Sequence, residues 1–512
     1  MLPYPRMAGV LPDVERAAKS SVADLFAAQA RLRPDRVAID DGDRRVRYGA
    51  LDERTRRLAS LLAARGVGRG DRVAVLSENR LEILELLLAA ARLGAIVACQ
   101  SWRLAPPELA HCLALVAPKL TLGSVRFSDA AIPGPRIFFG DEYESLVAAA
   151  SPEPPPVDVT ETDPLVILYT SGTTGLPKGA AISHRAQIAR NLVTRAEFGV
   201  GPDDTFVAWS PLYHMGAVDN SLGTLMSGGK VIVVPGFDAG RLADIVAAEE
   251  LGWLLLMPGM VGRFAEELAA RGVRPRGVRV CGVMADLVPP SEIAAVTRLL
   301  GAPYANTFGS TETGCPPCSS SLIPVGVTPA RLSKEQSRFC QVKLVDPDDR
   351  EVPDGSPGEL AMRGPTLFSG YWENPEVNAR DFRGGWFHMG DVFVRNPDGT
   401  LDFVDRVKYL IKSGGENIYP AEIERVLLAD PRVAEAAVVR ARHPRWGEVP
   451  VAFVARREPS LDEADLLALC RANLAGYKQP KRICFVAADS FPRSASGKIQ
   501  RHELEARIPD LT

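Results

Sequence analysis

The sequence predicts an α/β protein: a large N-terminal domain of helix-covered sheets, a small β-rich subdomain, and a small α+β domain at the C-terminal end. Three observations predict it. At 512 residues the chain exceeds what one compact core organises. Its first half alternates short apolar runs with helical stretches, the rhythm of parallel sheets covered by helices. After about Gln341 the texture changes to short strands between turn signals, and beyond Arg406 it returns to mixed α and β.

The elements follow in order. Arg72-Val73-Ala74-Val75-Leu76 reads as a strand, and Arg80 to Leu93 as an amphipathic helix. Ala95 to Ala98 is a second strand, Leu109 to Leu115 a helical stretch, and Leu120 opens a further strand. Strand runs recur at Leu165 to Tyr169, Val231 to Pro235 and Arg279 to Val283. Between them, four prolines within Pro152 to Pro156 make a stiff connection. The β-rich part is marked by the turns Asp346-Pro347-Asp348-Asp349, Pro353-Asp354-Gly355 and Asn396-Pro397-Asp398-Gly399.

Composition narrows the class. Hydrophobic residues make up 46% and charged residues 24%, as in ordinary globular proteins. The start, Met1 to Arg6, lacks a secretory pattern. The apolar stretch Leu81 to Ala98 is broken by Glu82, Glu85 and Arg92, so no membrane span is expected and the setting expected is cytoplasmic. Eight scattered cysteines suit a reducing compartment. Cys315-Pro316-Pro317-Cys318 has no second metal-ligand pair at suitable spacing and is expected to brace a loop. The net charge of −3 excludes a globally basic nucleic-acid binder. Residues 406–512 hold 18 Lys and Arg against 14 Asp and Glu, while the rest hold 42 against 49. A basic tail beside an acidic body suits an anionic ligand, although a chance imbalance on solvated faces reads equally well.

The strongest local signal is Tyr169-Thr170-Ser171-Gly172-Thr173-Thr174-Gly175-Leu176-Pro177-Lys178-Gly179. It follows an apolar strand and precedes a helix starting near Ser183. Its glycines allow close backbone approach, its hydroxyls and amides can cradle phosphate oxygens, and Lys178 adds a point charge. It is not a Walker A loop, because the residue five places after Gly172 is Pro177.

This segment resembles the phosphate loop of the adenylate-forming superfamily, which includes acyl-CoA synthetases, peptide-synthetase adenylation domains and luciferase. Further matches run in the family's order: Pro211-Leu212-Tyr213-His214, Asn306-Thr307-Phe308-Gly309-Ser310-Thr311-Glu312, Gly358-Glu359-Leu360, Arg363-Gly364-Pro365 and Gly370-Tyr371-Trp372. They continue through Gly390-Asp391, Asp405-Arg406-Val407-Lys408, Ser413-Gly414-Gly415-Glu416-Asn417 and Ser496-Gly497-Lys498.

The resemblance implies roles. Lys498 is the adenylation lysine between carboxylate and α-phosphate, Glu312 the Mg²⁺ carboxylate, and His214 the gate beside the bound acid. Asn306 reads the adenine amino group and Phe308 stacks on the ring, in company with Thr307, Gly309 and Thr311. Asp391 takes the ribose hydroxyls, and Arg406 the ribose or α-phosphate. Phe308 stands where the family usually has tyrosine, and Met389 where it has threonine. His184, after Ser183, is expected to cap its helix. The division implied is 1–405, binding ATP and acid, and 406–512, a mobile domain turning on Lys408. Ser413, Gly414 and Gly415 then line the tunnel for the pantetheine arm.

The activity implied is an ATP-dependent, AMP-forming acid:coenzyme A ligase, with ATP, Mg²⁺ and coenzyme A as cofactors. Its partner is a small carboxylic acid, with a homodimer left open. The acyl pocket is expected between His214 and Asn220, Gly282 and Ala285, and Thr307 and Cys315. Gly216 and Ala217 leave room there, and Met215, Val218 and Met284 supply apolar walls. At least one of Asp219 and Asn220 is expected on its floor. No cationic residue suits a dicarboxylate, so an aromatic, phenylpropenoid-type acid is favoured over a medium- or long-chain fatty acid. A nucleotide sensor without catalysis is the rival of another class, and the intact Lys498, Glu312, Asp391 and Lys408 argue against it.

Overall fold

The computed structural model describes residues 17–170, 176–414, 416–493 and 499–508. They pack as two compact units, Met1–Gln341 with Arg363–Arg380, and Val342–Met362 with Asp381–Thr512.

Among the described residues, the first unit holds two large sheets. One has six strands in the order Arg136–Phe139, Leu120–Ser124, Arg72–Leu76, Ile96–Gln100, Pro164–Thr170 and Lys178–Ser183. All are parallel except the last, which returns antiparallel to Pro164–Thr170. Ile96–Gln100 and Leu120–Ser124 are buried at every residue, as expected where helices cover both faces. The other sheet has eight strands, from Leu322–Ile323 through Tyr304–Ala305, Gly277–Cys281, Glu250–Leu254, Thr205–Ala208, Lys230–Val233 and Val37–Asp40 to Arg45–Arg47. Its inner six are parallel and its two edges antiparallel.

The helix Leu81–Leu93 departs from the sequence expectation. It is buried at every position except Arg92, so it has no solvated face and is not amphipathic. Its charges are paired instead. Glu82 accepts from Arg44 and Arg80, and Glu85 accepts from Arg54 and from the Tyr143 hydroxyl at 2.7 Å. Removing Arg54 would leave the buried Glu85 carboxylate without its cation, whereas Glu82 has two.

The second unit contains a sheet of Gln341–Val345, Pro357–Arg363, Phe387–Arg395 and Leu401–Arg406. A second sheet is built around the long pair Val433–His443 and Gly447–Arg456. That pair reads as nearly continuous apolar sequence because both faces are covered. Val438, Ala452 and Val454 pack with Ile423 and Leu466, while Val439, Val451 and Phe453 pack with Leu504.

Ser183, not His184, caps the helix His184–Phe198: its Oγ accepts from Ala186 N at 3.2 Å. His184 is the first helical residue, and its buried Nδ1 accepts from Val22 N at 3.1 Å. Burial pushes the imidazole down to about 4. Its folded value therefore lies below the unfolded value of about 6.5. The unfolded chain then binds more protons between those values, so the contribution is complete above the unfolded value and lost as pH falls. Acidification from pH 7 to pH 5 is expected to destabilise the first unit by about 2 kcal/mol through this group. Urea unfolding at both pH values, in the native chain and in His184→Gln, measures it; the variant should show a shallower pH slope.

Candidate functional site

The site in the first unit is assembled by main-chain pairing. Ala181 N donates to Gly370 O at 3.0 Å, Ser369 N to Ala181 O at 2.7 Å, and Trp372 N to Gly179 O at 2.7 Å. The Gly370-Tyr371-Trp372 segment thus lies along the strand Lys178–Ser183 that leaves the phosphate loop. Asn378 fixes the turn, accepting from Tyr371 N at 2.7 Å and donating to Tyr371 O at 2.8 Å.

Tyr371 consequently sits between two expected site residues. The Lys178 ammonium lies 3.6 Å from the centre of its ring, and its hydroxyl donates to Glu312 Oε1 at 2.8 Å. Glu312 is 9% exposed, and its own carbonyl accepts from Phe368 N at 2.8 Å. Tyr371 is a functional candidate that sequence reasoning missed; the Gly-Tyr-Trp match was its signal. Thr170 Oγ1 is buried and finds no hydrogen-bond partner among the described residues, as a hydroxyl meant for a ligand would. Ser171, Gly172, Thr173, Thr174 and Gly175 lie outside the described residues.

Glu312 stands in the turn of a short ribbon, Phe308–Ser310 paired with Gly314–Cys318. A Cβ on Gly309 would come within 2.0 Å of Gly314 O, so only glycine permits this pairing. Cys315 and Cys318 lie in the ribbon as free thiols, and burial pushes Cys315 up to about 12. Asn306 and Thr307, which precede the ribbon, are both buried. The Asn306 amide is held from two sides, with Nδ2 donating to Leu332 O and Ser333 O and Oδ1 accepting from Lys334.

The residues expected to line an acid pocket come from three stretches. His214 precedes the helix Met215–Ser227, its ring 4.8 Å from that of Tyr213. The loop before it is fixed by buried Asn79, which donates to Ser210 O at 2.8 Å and accepts from Leu212 N at 2.7 Å. Nothing in local sequence marked Asn79. In the second expected stretch, Gly282 O accepts from Trp253 Nε1 at 2.9 Å. Met284 adopts a left-handed backbone, with φ of 47°, which costs a non-glycine residue about 1–3 kcal/mol.

Asp219 and Asn220 separate in role. The Asp219 carboxylate accepts from Gln187 Nε2 at 2.9 Å and from Arg190 Nη1 at 3.1 Å, and burial pushes it up against the arginine's pull. Arg190, 2% exposed, also donates to Thr366 O and to Thr311 O. A buried cation does therefore lie near the pocket, but its guanidinium is engaged on all three nitrogens. Asn220 donates to Gly216 O at 2.8 Å and lines a small cavity with Thr194, Phe206, Thr224 and Trp253.

In the second unit, Asp391 and Arg406 face one another across paired strands, with Arg406 Nε 3.0 Å from Asp391 Oδ1. Each expected nucleotide contact is thus paired with the other in this structure. The Lys408 carbonyl accepts from Arg440 Nη2 at 2.7 Å. Ser413 is buried in its strand, and Gly414 has φ of 60° and donates to Trp446 O at 2.8 Å. A Cβ on Gly414 would come within 2.7 Å of the Trp446 ring. Gly415 and Lys498 lie outside the described residues.

A family model described as AMP-binding enzyme matches residues 26–372, and one for the AMP-binding enzyme C-terminal domain matches residues 422–498. The chain belongs to this adenylate-forming family. Feruloyl-CoA synthase of Amycolatopsis sp is 35% identical over 94% of this chain and 97% of its own length. Indoleacetate–CoA ligase of Aromatoleum aromaticum is 34% identical with the same coverage. Among solved structures, the o-succinylbenzoate CoA synthetase of Bacillus subtilis, in complex with its acyl-adenylate intermediate, superposes with a TM-score of 0.84 at 26% identity. That match covers 95% of this chain and 98% of the other. The fold and family expected from the motifs are borne out, and this adenylate-forming enzyme falls in the acid–coenzyme A ligase branch.

ATP, Mg²⁺ and coenzyme A are the cofactors of that branch, and the residues suit the metal. Among the described residues no three acidic, histidine or cysteine side chains gather into a metal cluster. A single oriented carboxylate, Glu312, is what Mg²⁺ wants when phosphate oxygens and water complete its shell. Tyr371→Phe keeps the ring under Lys178 but removes a hydrogen bond to a carboxylate, worth about 1.5–3 kcal/mol. ATP–pyrophosphate exchange is expected to fall roughly tenfold, or somewhat more, in this variant. Glu312→Gln should lose far more, and raised Mg²⁺ should restore part of the Tyr371→Phe loss only.

Proposed function

We propose that the chain activates an aromatic acid, a ring-hydroxylated phenylpropenoid type, and passes its acyl group to coenzyme A. A carboxylate oxygen attacks the α-phosphorus of ATP and pyrophosphate leaves. The thiol sulfur of coenzyme A then attacks the acyl carbon and AMP leaves. The observation that carries the acid class is the pair of relatives named for aromatic acids. Asn220 also borders a small cavity with Phe206 and Trp253, where Phe198 packs edge-on against Trp253 and Thr194, Arg195 and Asp204 are among the polar neighbours. Asn220 spends its amide nitrogen on Gly216 O, and its Oδ1 accepts a ring hydroxyl in this reading. Feruloyl and indoleacetyl groups, named for two relatives, are both aromatic. Arg190, already engaged by Asp219, is poorly placed to take a second carboxylate.

The residues then divide the work. Thr170, Lys178 and the loop Ser171 to Gly175 cradle the phosphates, and Glu312 would hold Mg²⁺, whose charge neutralises the departing pyrophosphate. Asn306 and Phe308 take the base, Asp391 the ribose, and Arg406 the ribose or α-phosphate. His214 borders the acid carboxylate, and Lys498 bridges it to the α-phosphate. Ser413, Gly414 and Gly415 line the pantetheine path, and 406–512 turns against 1–405 on Lys408. Eight free thiols support a reducing, cytoplasmic setting.

Two experiments test this reading. Asn220→Leu is expected to lose the preference for ring-hydroxylated over unsubstituted aromatic acids by about tenfold, because a site built to pair a hydroxyl discriminates through it. Thioester formation across a panel of acids measures the ratio; an unaltered ranking removes Asn220 from the pocket. The half-reactions test the alternation. Lys498→Ala should abolish acid-dependent pyrophosphate exchange yet spare reaction of a supplied acyl-adenylate with coenzyme A. Gly415→Leu should do the reverse, and Lys408→Pro should impair the second step more than the first. Equal damage to both steps by Lys498→Ala and Gly415→Leu would overturn the two-face mechanism.

A further inference from the structure

Lys334 is fully buried, an expensive position for an ammonium. Its environment explains how it is tolerated. Nζ lies 2.7 Å from Asp286 Oδ2, 2.6 Å from Asn306 Oδ1 and 3.3 Å from Leu332 O, so its three protons have three acceptors. These partners belong to separate parts of the first unit. Asp286 follows the Gly282–Ala285 wall, and Asn306 opens the segment leading to Phe308 and Glu312. Neither motif reading nor the acid-pocket reading assigned Lys334 a part.

The consequence lies in the Asn306 amide. Its Nδ2 donates to Leu332 O and to Ser333 O, each at 3.1 Å, so both of its protons are spent. Its Oδ1 already accepts from Lys334. One lone pair on that oxygen is the remaining hydrogen-bonding capacity of the side chain. Held this way, Asn306 can accept from a base but cannot donate to one. A 6-amino purine offers a donor at this edge, whereas a 6-oxo purine offers an acceptor and would meet oxygen with oxygen. Without the ammonium, only the two carbonyls oppose rotation of the amide, and once turned its NH₂ could serve a 6-oxo base.

We infer that Lys334 is a positioning residue for nucleotide selection: it locks the Asn306 amide with oxygen outward from its own donors' carbonyls, and so makes the enzyme favour 6-amino over 6-oxo purine triphosphates. The inference rests on the reading of Asn306 as a base contact.

The test is the ratio of kcat/KM for ATP to that for ITP in acid-dependent pyrophosphate exchange, with thermal unfolding followed in the same samples. Lys334→Met should lower the ratio at least tenfold, chiefly through a higher KM for ATP and a gain with ITP. Lys334→Arg, which keeps a cation, should retain more of it. Because Lys334→Met leaves Asp286 facing an apolar chain, the double variant Lys334→Met with Asp286→Asn is measured beside it and should show the same fall. A ratio equal to that of the native chain in both, whatever the loss of thermal stability, would make Lys334 a structural residue and overturn the inference. Asn306→Ala separates the two levels. If it lowers the ratio while the Lys334 variants do not, the base contact stands and the role of Lys334 fails. If it too leaves the ratio unchanged, Asn306 is not a base contact and both readings fall.

Discussion

Everything in the first unit's site depends on one stretch of main-chain pairing, between the strand Lys178–Ser183 and the segment Ser369–Trp372. Three backbone hydrogen bonds join parts of the chain that lie far apart in sequence. Closing so long a loop costs chain entropy, and the cost is met by burial of the surrounding strands rather than by these bonds alone. Once the pairing forms, Tyr371 has little freedom. Asn378 fixes its backbone, Phe368 packs edge-on at 4.9 Å, and its ring and hydroxyl each meet a charged group. The lysine proposed for the phosphates and the carboxylate proposed for the metal are thereby held in register by a neutral side chain. Direct pairing of Lys178 with Glu312 would cancel the two charges that those proposed contacts require.

How much of this is legible in the sequence depends on how local each device is. The phosphate loop, the run from Asn306 to Glu312 and the Ser-Gly-Gly segment are contiguous, and their residue types carry their chemistry on their face. The parallel sheets are legible for a similar reason, since buried strands read as short apolar runs. The helix Leu81–Leu93 misleads because its glutamates look like a solvated face, while Arg44 and Arg54, which pair with them, come from distant segments. Arg190, Asn79 and Lys334 are illegible by the same physics. Each is a polar residue whose meaning is a set of partners brought together only by the tertiary fold. Asp219 shows the limit most directly: a carboxylate near the expected pocket floor reads as a substrate contact until Gln187 and Arg190 are seen to consume it.

The Arg190 cluster also gives the proposed pocket and the proposed metal site a common support. One guanidinium reaches Asp219 on the pocket helix, the Thr311 carbonyl beside Glu312, and the Thr366 carbonyl on the approach to Tyr371. Its stem lies against Gly314, where a Cβ would come within 2.9 Å of it. A buried ion pair of this kind adds little net stability compared with an apolar replacement. What it supplies is geometry, because a planar fork with three fixed directions tolerates little relative shift among the segments it joins.

A similar cluster surrounds the proposed hinge, and there it has an opposite consequence. Asp405 precedes Lys408, yet its carboxylate accepts from Ala421 N at 2.7 Å and lies 3.8 Å from Arg501, both beyond the hinge. Arg501 in turn holds part-buried Glu424 at 2.6 Å and lies over the Tyr409 ring, 4.4 Å from its centre. Arg440 clasps the Lys408 carbonyl itself while pairing with Glu505. Burial pushes both Asp405 and Glu424 upward, and Arg501 opposes that push. A turn at Lys408 cannot proceed by small degrees through such a cluster, since a partial turn strands a buried carboxylate without its cation. The cost of that intermediate favours two discrete arrangements over a continuum. Arg501, three residues after Lys498 in the sequence, is thus one of the charges that would resist the proposed turn. In the proposed alternation one cluster then sets the state of the hinge, which is what a ligase needs if it is to finish one half-reaction before beginning the other.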